Sequence, residues 1–117
     1  MKTLLLSSVM AFALLGAAGG ASAAECGDVT IASMNWQSAE VLANLDKIIL
    51  NAGYGCNAEV VQGDTIPTLT SMTEKGQPDI APEGWIDFMR DIMDKAVADG
   101  KLVYASKSLS DGGGQGW

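Results

Sequence analysis

Val29-Thr30-Ile31-Ala32-Ser33-Met34-Asn35-Trp36 is a short apolar run rich in β-branched residues, and it reads as a β-strand that ends on a tryptophan. The period then changes. Val41, Leu42, Leu45, Ile48 and Ile49 recur at helical spacing behind Ser38, a candidate N-cap, and Gly53 ends the run. Ala58-Glu59-Val60-Val61 returns to strand character, and Gly63-Asp64-Thr65 turns the chain. A short helix follows with Pro67 in its first turn, Ile66, Leu69 and Met72 on its buried face, and Gly76 as its stop.

Pro78 leads into a third short strand at Asp79–Ala81, after which Ile86, Met89, Ile92 or Met93, and Val97 are spaced for a third helix ending at Gly100. Leu102-Val103-Tyr104-Ala105 reads as a fourth strand. Strands alternating with helices of this length imply βαβ crossovers, so the expected class is α/β with a mostly parallel sheet and flanking helices. In a sheet of strand order 2-1-3, the first and third strands are neighbours and the chain switches direction between them.

That order gives two tryptophans a shared place. Trp36 follows the first strand and Trp85 follows the third, in Asp79-Ile80-Ala81-Pro82-Glu83-Gly84-Trp85. Ligands of parallel α/β sheets bind beyond the carboxyl ends of the strands. Two indoles there suit a soft cation such as a quaternary ammonium, which offers no conventional donors and is held by electron-rich faces. The alternative is that each indole packs only against its own helix. Glu83 and Asp87 bracket Trp85, and Glu40 follows Trp36, so carboxylates could add negative potential to the crevice. Asn35 could orient a ligand carboxylate, as could free N–H groups at the following helix N-terminus.

Other chemistries find less footing. The chain has no histidine, so no Ser-His or Cys-His pair is available, and no Gly-x-Ser-x-Gly elbow occurs. Gly112-Gly113-Gly114 lacks the Lys-Ser/Thr of a phosphate loop and reads as a flexible turn. Met72, Met89 and Met93 fall at core spacing. Seven Lys and Arg stand against fourteen Asp and Glu, a balance that argues against nucleic acid and gives no support for docking on anionic lipid.

The beginning of the chain reads as an export signal over residues 1–23: Lys2, an apolar region from Leu4 to Leu15, then Ala21-Ser22-Ala23 as the cleavage pattern. A retained membrane anchor is the alternative, but the run is short for a span and no second one follows. A periplasmic or secreted location, without membrane insertion after cleavage, is expected. Export permits a disulfide between Cys26 and Cys56, which precede the first and second strands and fall at one sheet edge if those strands are parallel neighbours. Such a bridge would contribute roughly 3 kcal/mol in the chain-entropy model, with two separate buried thiols as the alternative. Two cysteines alone do not close a zinc shell, so neither a metal nor a cofactor is expected.

Four segments together carry a resemblance: Met34-Asn35-Trp36-Gln37-Ser38-Ala39-Glu40, Gly53-Tyr54-Gly55-Cys56, Gln62-Gly63-Asp64-Thr65-Ile66-Pro67-Thr68 and Pro78-Asp79-Ile80-Ala81-Pro82-Glu83-Gly84-Trp85. In this order and spacing they resemble the start of glycine betaine/proline-type substrate-binding proteins of ATP-binding-cassette (ABC) importers. The resemblance implies a periplasmic-binding-protein fold of type II, two α/β lobes closing over a quaternary ammonium ligand in an aromatic box. It implies an ABC permease with its ATPase subunits as partners, and ligand capture rather than catalysis. Trp36 and Trp85 match box walls of similar proteins, Asn35 and Glu83 adjoin them, and Trp117 lies in a glycine-rich stretch that continues through further aromatics in relatives. Choline-binding relatives often carry an acidic residue where Ser38 stands, which puts betaine-like ligands ahead. Family chains are two to three times longer, so residues 24–117 are expected to be the early part of a first lobe, truncated and incomplete. A small exported hydrolase using Glu40, Asp64 or Glu83, or a secreted module anchored by Trp36 and Trp85, would be the other classes.

Overall fold

A computed structural model describes residues 26–109. The expected export signal at 1–23, the triple glycine and Trp117 lie outside those residues. Within them the chain runs strand β1 (Asp28–Ser33), helix α1 (Gln37–Tyr54), strand β2 (Asn57–Gln62), helix α2 (Thr65–Lys75), a single 3₁₀ turn (Asp87–Met89) and helix α3 (Arg90–Ala98).

The first two strands pair in parallel from Asp28↔Asn57 to Ser33↔Gln62, with α1 as the crossover between them. Parallel neighbours require such a crossover, and the residues between β1 and β2 are long enough to supply it. At the amino ends of the strands Cys26 and Cys56 are joined by a disulfide, their Cα atoms 4.6 Å apart. On the outer edge of β2, the Asn51 side chain accepts from the Ala58 N–H (2.7 Å) and donates to its carbonyl (3.3 Å). A helix residue thereby satisfies backbone groups that an edge strand would leave open.

The third strand does not form. Asp79–Ala81 makes one isolated parallel bridge, Ile31↔Ile80, on the edge of β1 away from β2. Ala32 donates to the Ile80 carbonyl (2.8 Å) and Ile80 donates to the Thr30 carbonyl (3.0 Å). Pro82 ends the ladder at once, since it has no N–H to continue it. The segment is held instead by side chains: the Thr30 N–H and hydroxyl both donate to Asp79 Oδ2 at 2.7 Å. The sheet is therefore two-stranded, and the expected fourth strand at Leu102–Ala105 also has no ladder partner among the described residues. Leu102 packs against the α2–α3 cluster, and the Tyr104 hydroxyl donates to Asp94 (2.8 Å).

Helix α1 differs from its expected outline at both ends. Its N-cap is Trp36, in extended conformation, so Ser38 is already inside the helix. It runs past Gly53 to Tyr54, and Gly55 closes it at φ 68°, the left-handed conformation glycine adopts without penalty. The face it lays on the sheet is made of Ala39 and Ala43, while Val41, Leu45, Ile48 and Ile49 are exposed. Small side chains let the helix backbone come close to Ile31, Ala58 and the buried Cys56, with Leu50 and Val60 filling the flank.

A second cluster joins α2 to the third helical segment through Leu69, Met72, Met89 and Met93, so the core role read for the methionines is the one they have. Ile66 and Ile92 are exposed instead. A third small cluster, Ala32, Met34 and Ala39 with Trp36 and Ala81 against it, lies under the carboxyl end of β1.

Candidate functional site

Three chain segments reach the carboxyl end of the sheet, and each brings one piece of a cleft. Leaving β1, the chain passes Asn35 and starts α1 at Gln37, which puts Trp36 and Ser38 at the rim. Leaving β2, it turns at Gly63 and starts α2 at Thr65. Leaving the Ile80 bridge, it passes Pro82 to Glu83 and Trp85. Trp36, Ser38, Thr65, Glu83 and Trp85 line an open cleft of about 420 Å³.

The start of α2 is built closely. Asp64 accepts the Thr65 N–H on its side chain (2.7 Å), and the Asp64 N–H donates to the Thr68 hydroxyl (3.0 Å). A Cβ on Gly63 would come within 2.5 Å of that same hydroxyl, so only glycine leaves the cap intact. This fixes where Thr65 meets the cleft.

At its centre is Glu83, only 5% exposed. Its Oε1 accepts the indole N–H of Trp36 at 2.9 Å and that of Trp85 at 3.0 Å. Ser38 faces the same carboxylate without a hydrogen bond of good geometry, and Oε2 is buried with no hydrogen-bond partner among the described residues. Burial pushes the Glu83 pKa up, but the Ser38 hydroxyl dipole and the two indole N–H groups outweigh it, and the carboxyl lies below the usual range. The indole bonds, with full hydrogen-bond geometry, are the firmer part of that balance. Burial is the largest single influence on the group, and the three donors offset it only by acting together.

The structure thus brings Trp36, Trp85 and Glu83 together. Asn35 is exposed and does not line the cleft, and Trp117 lies outside the described residues. Asp87 is paired with Arg90 in an exposed ion pair, Glu40 is exposed, and Asp64 serves as a helix cap. Spacing and residue type alone do not single out Thr65, although the turn Gly63-Asp64-Thr65 after β2 is the signal that places it. Ser38, a candidate cap by spacing and a ligand-relevant position by the resemblance, lies inside α1 and lines the cleft.

Chemically, the cleft offers two aromatic rings, two hydroxyls and one anion. A single carboxylate gives no second acid–base partner of the kind glycoside hydrolysis uses. Among the described residues no group of three or more Cys, Asp or Glu is placed to hold a metal ion. Nor is any helix there long and apolar enough to cross a membrane. No individually curated protein matches the chain. Residues 27–117 do match the OpuAC family, described as the substrate binding domain of the ABC-type glycine betaine transport system, and the chain belongs to that family.

Proposed function

We propose that this chain captures glycine betaine or a related quaternary ammonium osmolyte in the Trp36–Trp85 cleft for import. Membership of the family makes it a substrate-binding component of an ABC transporter, in a family of transport rather than catalytic domains. Such components work with a permease and its ATPase, and are typically extracellular or periplasmic. The finer reading adds the ligand, the export signal at 1–23, and residues 24–117 as the early part of a first lobe whose complete sheet has order 2-1-3.

The observation that carries the ligand class is the pair of indoles joined at one buried carboxylate. An indole N–H donates in the ring plane, so these bonds do not themselves occupy the π faces, while Trp36 also packs on Ala32, Met34 and Ala39. A methylated ammonium can lie against those faces while the carboxylate behind them adds negative potential. The open shape of the cleft places each contact at the weak end of cation–π strength, about 0.5–1 kcal/mol. Affinity in this chain is accordingly expected in the millimolar range or weaker.

Calorimetric titration of glycine betaine and of tetramethylammonium into the full chain tests the reading. Both ligands should bind, because both present the same cationic head. Trp36→Ala and Trp85→Ala should each weaken binding about two- to fivefold, the equivalent of one exposed cation–π contact. Absence of binding by both ligands, or binding indifferent to both substitutions, sinks the proposal. The hydrolase alternative receives no comparable support, since Asp64 caps a helix, Glu40 does not line the cleft, and Glu83 lines it without a second carboxylate beside it.

A further inference from the structure

We propose that Glu83 is the positioning residue of this cleft: one carboxylate oxygen, accepting both indole N–H groups, makes Trp36 and Trp85 a single unit. The two tryptophans come from different segments. Trp36 belongs to the start of α1 and Trp85 to the loop before the 3₁₀ turn, 47 and 2 residues from Glu83 respectively. Among the described residues, the backbone connects those segments near the cleft only through the short bridge at Ile80. The carboxylate supplies the missing connection at the ring edges, where it does not obstruct the faces.

The choice of a carboxylate over a neutral acceptor has a physical reason. An ionised carboxylate only accepts, and each of its oxygens can take two donors, so one oxygen can serve both indoles without a competing donor of its own. A glutamine at this place would bring an N–H₂ group into a site that already holds two donors. Bonds to a charged acceptor are also roughly twice as strong as neutral ones. Retaining a nearly buried anion is unfavourable unless its neighbours stabilise it, and here the stabilising neighbours are the two indole N–H groups together with Ser38. Ser38 from α1 and Thr65 from α2 are the other groups lining the cleft with it, and no second charged side chain does so among the described residues. The state of Glu83 and the placement of the rings are therefore linked.

A purely structural pin for the Pro82–Ile86 loop would hold that loop without coupling the two rings. Tryptophan labelled with ¹⁵N in the full chain separates these roles, with the indole signals assigned through Trp36→Phe and Trp85→Phe. As pH falls, the Trp36 and Trp85 indole signals should move together through one shared midpoint below the ordinary Glu range. In Glu83→Gln that titration should vanish, and exchange of both indole N–H groups with water should accelerate about fivefold or more, as expected on trading a charge-assisted bond for a neutral one. Separate midpoints in the unsubstituted chain, or a response of one indole only, overturn the proposal, and that titration does not depend on the variant folding. The readout uses no ligand. Glu83→Gln should also weaken tetramethylammonium binding severalfold, an expectation that rests on the proposed function. Coupled indoles with no binding at all would leave the positioning role standing and refute the cation site.

Discussion

Glu83 can sit in its cleft as an acid or as an anion, and three neighbours decide between them. Burial favours the acid, while Ser38 and the two indole N–H groups favour the anion and prevail. The consequence for stability has a definite sign. A carboxyl whose folded pKa is depressed contributes stability that is fully present above its unfolded value, about 4.3 for Glu, and that is lost as pH falls through the folded value. Asp79, held low by the Thr30 hydroxyl and N–H, acts in the same direction. Ser38→Ala removes one of the neighbours that favour the anion, so the Glu83 pKa should rise toward its unfolded value: thermal stability near neutral pH should fall, and the further loss on acidification should be smaller and complete at a higher pH. Melting curves taken between about pH 2 and 6 check this, and an unchanged acid limb in Ser38→Ala contradicts it. At this scale the sequence was half legible. Strand-then-tryptophan placed Trp36 and Trp85 at a sheet edge, but a bond across 47 residues leaves no periodic trace, so Glu83 could be read only as nearby charge. Asn35 looked equally near, and the start of α1 leaves it exposed.

The helices show where pattern reading succeeds and where it selects the wrong face. Met72, Met89 and Met93 fall at core spacing, and they are buried because α2 packs against the 3₁₀ turn and α3 through them. In α1 the large apolar residues marked a stripe, yet Ala39 and Ala43 meet the sheet. Hydrophobic spacing ranks residues by size and apolarity, whereas close approach of a helix to a two-stranded sheet selects for small ones. The third strand failed for a local reason, since three residues ahead of Pro82 can make one bridge and no ladder. The turn into α2 yields the prediction proper to this scale. Asp64→Ala removes the side-chain acceptor at the N-cap and should cost about 1 kcal/mol. Gly63→Ala should cost at least as much, because its Cβ displaces the Thr68 hydroxyl that receives the Asp64 N–H. Chemical denaturation of the two variants measures both. A neutral Gly63→Ala would show that Thr68 yields freely and that the cap does not fix Thr65.

Across the whole molecule, the disulfide and the cleft occupy opposite ends of the same two strands. Cys26 and Cys56 join the strands before Asp28 and Asn57, and the cleft opens beyond Ser33 and Gln62, six paired positions later. At about 3.3 Å per residue this separates them by roughly 20 Å, too far for the bridge to shape the cleft by contact. Its effect falls on the unfolded chain, where it closes a loop spanning 30 residues of sequence. Loop-closure entropy for that length corresponds to about 3–4 kcal/mol. In a small domain each kcal/mol moves the melting temperature by about 4–8 °C, so Cys26→Ser combined with Cys56→Ser should melt more than about ten degrees lower. Well below that lower midpoint, the Trp36 and Trp85 indole signals should be unchanged, because the β1–β2 pairing and the Ile80 bridge still carry the rim segments to the carboxyl edge. A double variant that melts where the parent does would mean the unfolded chain is already constrained without the bridge. One that keeps its melting temperature but shifts the indole signals would mean that the two ends of the sheet are mechanically coupled, contrary to the separation the register imposes.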